Sequence, residues 1–195
     1  MVSIAGRCIT GQDGDVQFQF IGGNLALDFV GTVAEWTTSR TELLVAPADL
    51  GAWLAEAGVL DHAPAVGTAD LAAARELRVA LRGLVVALEA GRRVPVEVGE
   101  VVNRYAAVEP VLLRLDGTGR PVRRGSAGAA LSSVARSGIE LADASTAGLL
   151  RSCADATCTR AFLDRSRGRR RRWCGMSGCG DRAKAAAYRS RHRRS

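Results

Sequence analysis

Aromatic side chains are scarce, at 5% of 195 residues, so a folded core must be built mainly from aliphatic residues and alanine. No stretch reaches the roughly 18 uninterrupted apolar residues of a spanning helix, so a membrane protein is not expected. Met1 to Asp15 carries Gly6, Gln12, Asp13 and Asp15 where a secretory signal would have an apolar segment. Export is therefore not expected, and a cytoplasmic location is. Histidine is confined to His62 and His192. Neither sits in a nucleophile–base pattern and the chain has no P-loop, so catalysis is not expected. Internal repeats and Ser/Gly-rich spacers are absent as well. What is present is ordinary, with 47% hydrophobic and 24% charged residues. That is the balance of a globular protein with one domain, or one domain and a small module.

Charge is divided unevenly along the chain. Residues 1–150 hold 13 Lys and Arg against 17 Asp and Glu, a net of −4, whereas residues 151–195 hold 14 against 3, a net of +11. A mildly acidic body followed by a strongly basic module is the pattern of a chain whose C-terminal part meets a polyanion. Four of the five cysteines lie in that basic part, as Cys153-x4-Cys158, a 15-residue loop, and Cys174-x4-Cys179. Two close pairs can each bring two thiolates to one tetrahedral ion from opposite sides, and four soft donors with no open position suit a structural Zn2+. An iron–sulfur cluster would use the same ligand type, but two symmetric pairs favour zinc, and two disulfides need an oxidising compartment that nothing in the sequence indicates. Cys8, the fifth, reads as a free reduced thiol. A segment of about 45 residues with this charge cannot build a sufficient core alone, and a bound metal would supply what is missing.

Residues 1–150 read as α+β, predominantly helical with small β-hairpins. Val16, Phe18 and Phe20 alternate with glutamines, predicting a strand. Asn24 is an N-cap for a helix whose apolar face would run Leu25, Phe29, Val33, Trp36. Asp28, Thr32 and Glu35 line its polar face and, with Arg40, form a candidate ligand-binding cluster; an ordinary solvated face is the competing reading. Pro47 starts a short helix stopped by Gly58, and Thr68 or Asp70 opens a long one to about Glu89. A further helix is expected over 97–107, and Asp116-Gly117-Thr118-Gly119 marks a hairpin turn. A last helix is expected over 125–152, leading straight into a finger at 151–195 that would fold as an independent unit.

Within the finger, Phe162 and Trp173 are expected to pack over the metal. The cations Arg165, Arg167 and Arg169, Arg170, Arg171, Arg172 are candidate phosphate contacts, because guanidinium forks match phosphate oxygens. After Cys179, Asp181 can cap an alanine-rich helix that carries Arg182, Arg189 and Arg193 on one side and Lys184 and Arg191 on the other. A cationic helix beside a metal knuckle is a candidate reader of double-stranded DNA.

The segment with Phe162 and Asp164, Arg172-Trp173-Cys174, Cys179-Gly180-Asp181-Arg182-x-Lys184 and Tyr188-Arg189 resembles the CGNR zinc finger. Gly22 to Thr32 resembles the start of the ABATE domain that usually precedes that finger. The resemblance implies a stress-induced bacterial transcription regulator. Asp181 replaces the motif's Asn, and Gly31 stands where an Asn usually precedes the Thr. Three functions follow: a zinc-dependent DNA-binding regulator whose body senses a small-molecule effector or partner, or pairs as a homodimer; an RNA-binding protein; or a small-molecule binder or enzyme for which the finger is a docking device.

Overall fold

The computed structural model describes residues 17–37 and 40–192. Val16, Cys8 and Arg193, singled out above, lie outside the described residues. Helix α1 (Leu25–Val30) begins as expected, with Asn24 Oδ1 accepting from the Ala26 and Leu27 amides at 2.9 and 3.3 Å. It ends six residues later, well short of Trp36. The chain turns at Gly31 and forms a two-residue strand, β1 (Val33–Ala34), paired antiparallel with β2 (Thr41–Glu42). The reason is tertiary: Trp36 Nε1 donates back to the Val30 carbonyl at 3.1 Å, which caps the helix end. The expected first strand is also corrected, since residues 17–20 join no sheet, although Phe18 is buried.

The next elements follow the sequence reading. Helix α2 (Pro47–Glu56) starts at its proline, and α3 (Thr68–Glu89) is the long central helix. Helix α4 spans Val96–Ala106, and strands β3 (Leu112–Leu115) and β4 (Pro121–Arg124) form the hairpin. The expected single helix over 125–152 is broken instead into α5 (Ala127–Ile139) and α6 (Leu141–Thr146). Gly148, at φ +68°, ends α6, and β5 (Leu150–Ser152) then pairs antiparallel with β6 (Ala161–Leu163). Helix α7 (Asp181–His192) closes the described chain. No helix among the described residues is long and apolar enough to cross a membrane.

The core lies between α1, α2, α3 and α5. Trp53 and Phe29 are fully buried with ring centroids 4.9 Å apart, surrounded by Leu50, Leu54, Leu77, Leu81, Leu131 and Val134. Asn24 Nδ2 donates to the Ser137 carbonyl at 3.0 Å, tying α1 to α5. Helices α3 and α5 cross closely at Gly138, where a methyl group would collide with Leu81. One charged side chain is part of this core. Arg78 donates to Thr32 Oγ1 at 2.8 Å and to both Glu42 carboxylate oxygens, pinning β2 to α3. Burial would raise the Glu42 carboxyl, but the Arg78 hydrogen bonds outweigh it and hold it below its ordinary range.

The finger is not a separate unit in the packing sense. Ala161 and Leu163 of β6 belong to the body's core, and the Leu163 amide donates to the Gly22 carbonyl at 2.8 Å. Ser152 Oγ donates to Glu89 of α3 at 2.6 Å. The strand pair β5–β6 thus forms one wall of the body.

Candidate metal centre

Each cysteine is presented by a local turn. Cys153 follows β5, and Cys158 ends a turn in which its amide donates to the Asp155 carbonyl at 2.9 Å. The Asp155 carboxylate stabilises this turn by accepting from the Thr157 amide at 3.1 Å and hydroxyl at 2.8 Å. With the Arg182 guanidinium at 2.8 Å as well, the Asp155 carboxyl is held down to about 2. Cys174 follows Trp173, and Cys179 sits in a tight turn, Met176–Gly180, opened by Gly178 at φ +96°. Only glycine adopts that conformation without strain.

The four Sγ atoms lie within 4.8 Å of one another, with Cys158–Cys174 and Cys174–Cys179 both at 3.7 Å. A tetrahedron with metal–sulfur bonds of about 2.3 Å has edges of about 3.8 Å, so the cage fits a metal. A disulfide needs about 2.05 Å, and none of the four is bridged. Sulfurs this close oppose one another's ionisation. Hydrogen bonding with Cys158 pushes the Cys174 thiol far up, burial pushes Cys179 up to about 12, and the Cys174 hydrogen bond draws Cys158 down to about 5. A cation at the centre lets all four ionise together. Two N–H···S bonds orient the donors: the Cys174 amide to Cys153 at 3.4 Å, and Arg182 Nη2 to Cys179 at 3.1 Å. Phe162, fully buried, and Trp173, half-buried, pack against the sulfurs as expected.

The arginine run splits by direction. Arg171 turns inward over the Phe162 ring at 4.3 Å and donates to the carbonyls of Trp173, Cys174 and, in the body, Ile21. Its own amide donates to buried Asp164 at 2.9 Å. Arg169 donates to the Ala147 carbonyl at 3.0 Å. These two, with Arg182 on Asp155, bond within the fold, while Arg169 and Arg182 also remain exposed at the surface. Arg165, Arg167, Arg170, Arg189 and Arg191 are exposed and make no ion pair among the described residues. Arg172 is exposed with its guanidinium 5.3 Å from the Trp173 ring centre, and Lys184 lies 3.9 Å from Asp181. An open groove of about 440 Å³ runs between Trp173 and the alanines of α7.

The four residues expected to form a ligand cluster do not converge. The buried Asp28 carboxylate accepts from the Gly22 amide at 2.7 Å; burial pushes it up to about 6, against the opposing pull of that amide, Arg160 and Arg171. Thr32 donates to the Phe29 carbonyl and accepts from Arg78. Arg40 lies over the Trp36 ring at 5.2 Å. Glu35 faces elsewhere, onto a cleft of about 140 Å³ between body and finger whose lining includes Gln19, Arg160, Arg182 and Cys158. Across that boundary Thr159 accepts from the Trp36 amide at 3.1 Å, its carbonyl accepts from Arg82 at 3.2 Å, and Arg160 reaches the Gly31 carbonyl. Sequence reasoning missed Arg78, whose signal was its place in the apolar stripe between Ala74 and Leu81, where a charge needs a buried partner.

Comparison with known families locates two matches. Residues 23–145 match the ABATE model, described as "Putative stress-induced transcription regulator", and residues 150–192 match the CGNR zinc finger. No protein of curated function matches the chain. Because the first match spans well over half of the sequence and the second contains all four cysteines, the chain belongs to the ABATE family and carries a C-terminal CGNR zinc finger.

Proposed function

We propose that this protein is a zinc-dependent, DNA-binding transcription regulator that acts by binding and not by catalysis. The observation that carries the reading is the division among the finger's cations. Arg169, Arg171 and Arg182 are used to build the finger. Arg165, Arg167, Arg170, Arg172, Lys184, Arg189 and Arg191 are left at the surface of a short metal-braced module. Structure alone does not need that many exposed arginines, and phosphate does. Zinc is the ion this reading assigns, because it accepts a closed tetrahedral set of four thiolates and takes no part in redox chemistry itself. When bound it would hold the β5–β6 end, the Trp173 loop and the start of α7 in one rigid piece. The regulatory half of the proposal rests on the docking of finger to body through Arg171, Arg160 and Thr159. A partner or effector that alters the body would alter the finger's presentation.

The test is binding of the full chain to a fluorescent DNA duplex across a salt series. Counterion release predicts log affinity falling linearly with log salt, by about 0.9 per phosphate engaged. Replacing Arg165, Arg167 and Arg170 with alanine should flatten that slope while leaving the fold intact. A slope unchanged by the triple substitution, or preference for structured RNA over duplex DNA, would overturn the reading.

A further inference from the structure

The four sulfurs are not equally protected. Cys153, Cys174 and Cys179 are buried, between 3% and 9% exposed, while Cys158 is half-buried. Cys158, with the more buried Cys174 and Cys179, lines the cleft between body and finger, which at about 140 Å³ holds roughly ten times the space one water needs. Two arginines, Arg160 and Arg182, line the same cleft, and Arg182 donates to the neighbouring Cys179 sulfur at 3.1 Å. Cys174 Sγ is 3.7 Å from Cys158 Sγ, on the buried side. A small oxidant entering the cleft therefore meets Cys158 as the most exposed donor of the metal cage, with a second, more buried sulfur in contact with it.

We infer that Cys158 is the reaction site of this protein for small hydroperoxides, with Cys174 as the resolving thiol. In the first step the Cys158 thiolate attacks a peroxide oxygen. The S–O bond forms, the O–O bond breaks, and the departing alkoxide or hydroxide takes a proton, leaving a sulfenic acid. In the second, the Cys174 thiolate attacks that sulfur. The S–S bond forms, the S–O bond breaks, and the oxygen leaves as water after taking a proton. The two thiolates supply the two electrons that reduce one peroxide, giving one alcohol and one water from an organic hydroperoxide or two waters from hydrogen peroxide. The lining carries Arg160 and Arg182 against one carboxylate, Glu35, and guanidinium groups favour both steps, since each expels an anion. Two of four donors are consumed, so the remaining pair can no longer close a tetrahedral site. Because the Cys174 carbonyl accepts from Arg171, which also holds Ile21 of the body, the change reaches the docking contact.

The inference needs the metal centre and is independent of the nucleic-acid reading. A chain that holds a metal and reacts at Cys158, yet binds no duplex, would leave it standing. The experiment uses the full, reduced, metal-loaded chain with Cys8→Ala, treated with less than one equivalent of hydrogen peroxide. A sulfenic-acid-specific trap followed by peptide mapping should label Cys158 first. Without the trap, the disulfide should join Cys158 to Cys174 with release of the metal to a chromogenic chelator. First labelling at Cys153 or Cys179, equal labelling of all four, or a disulfide that omits Cys158 would overturn the inference. Cys158→His keeps four donors of a common zinc type and should slow peroxide-driven release roughly tenfold, since imidazole forms no sulfenic acid. Release at an unchanged rate from that variant would also overturn it.

Discussion

The body and the finger solve the same problem with different materials. The body closes on apolar area, with Trp53, Phe29 and a dozen aliphatic side chains at or near zero exposure. The finger has Phe162 and half-buried Trp173, and closes on four sulfurs and on arginines that bond to backbone carbonyls. The difference shows that one residue type can carry two unrelated duties a single position apart. Arg171 is a crosslink between finger and body, while Arg170 beside it is exposed. It also shows that the finger is no appendage, because its Ala161 and Leu163 complete the body's core.

That comparison can be broken most directly at the metal. Removing it by chelation, or replacing Cys174 with serine, takes away on the order of 10 kcal/mol of apparent binding free energy from the finger. The account expects the body's thermal midpoint, followed by circular dichroism, to fall as well; an unchanged midpoint would restore two independent units. Next in size is the buried ion pair on the body side. Glu42→Gln leaves the buried Arg78 charge with the Thr32 hydroxyl and a neutral amide in place of a carboxylate and should cost about 2–3 kcal/mol in urea unfolding. That is less than a fully enclosed pair, since Glu42 keeps 32% of its side chain exposed. The sign with pH follows from the lowered Glu42 carboxyl: its stabilisation is present at neutral pH and is lost as pH falls through its folded value.

The neighbouring arginines sharpen the comparison further. Arg171→Ala should destabilise by about 2 kcal/mol through three orphaned carbonyl acceptors. Arg170→Ala should leave stability within about 0.5 kcal/mol. Asp28→Asn tests the boundary between the two regions. A carboxyl raised from 3.8 to about 6 favours the folded state while protonated, so stability should decline between those values as pH rises. The Asn variant should lose that decline and gain stability at pH 7. Within the body alone, Gly138→Ala should cost about 1–3 kcal/mol by forcing α3 and α5 apart.

Much of this was legible in the residues themselves. Asn24, Pro47 and Gly58 announced helix ends through local chemistry, and the cysteine spacing announced the metal cage because ligand type and interval together leave few other uses. What stayed hidden depends on partners distant in sequence. A run of four arginines reads identically whether its members face solvent or carbonyls, and only Ile21, 150 residues away, reveals where Arg171 points. The early end of α1 escaped for the same reason: the spacing of Val33 and Trp36 is compatible with a helix, but the Trp36 indole bonds back to Val30. The Asp28, Thr32, Glu35 and Arg40 grouping presumed a helix that stops at Val30.

Hydrogen–deuterium exchange of the intact chain, before and after chelation at neutral pH, bears most immediately on the idea that one sulfur cage braces both regions. Exchange should accelerate over residues 150–180 and also over the Ile21–Gly31 segment that Arg171, Arg160 and Leu163 hold. If only the former region loses protection and Ile21–Gly31 exchanges as before, the body stands without its finger and the account is wrong.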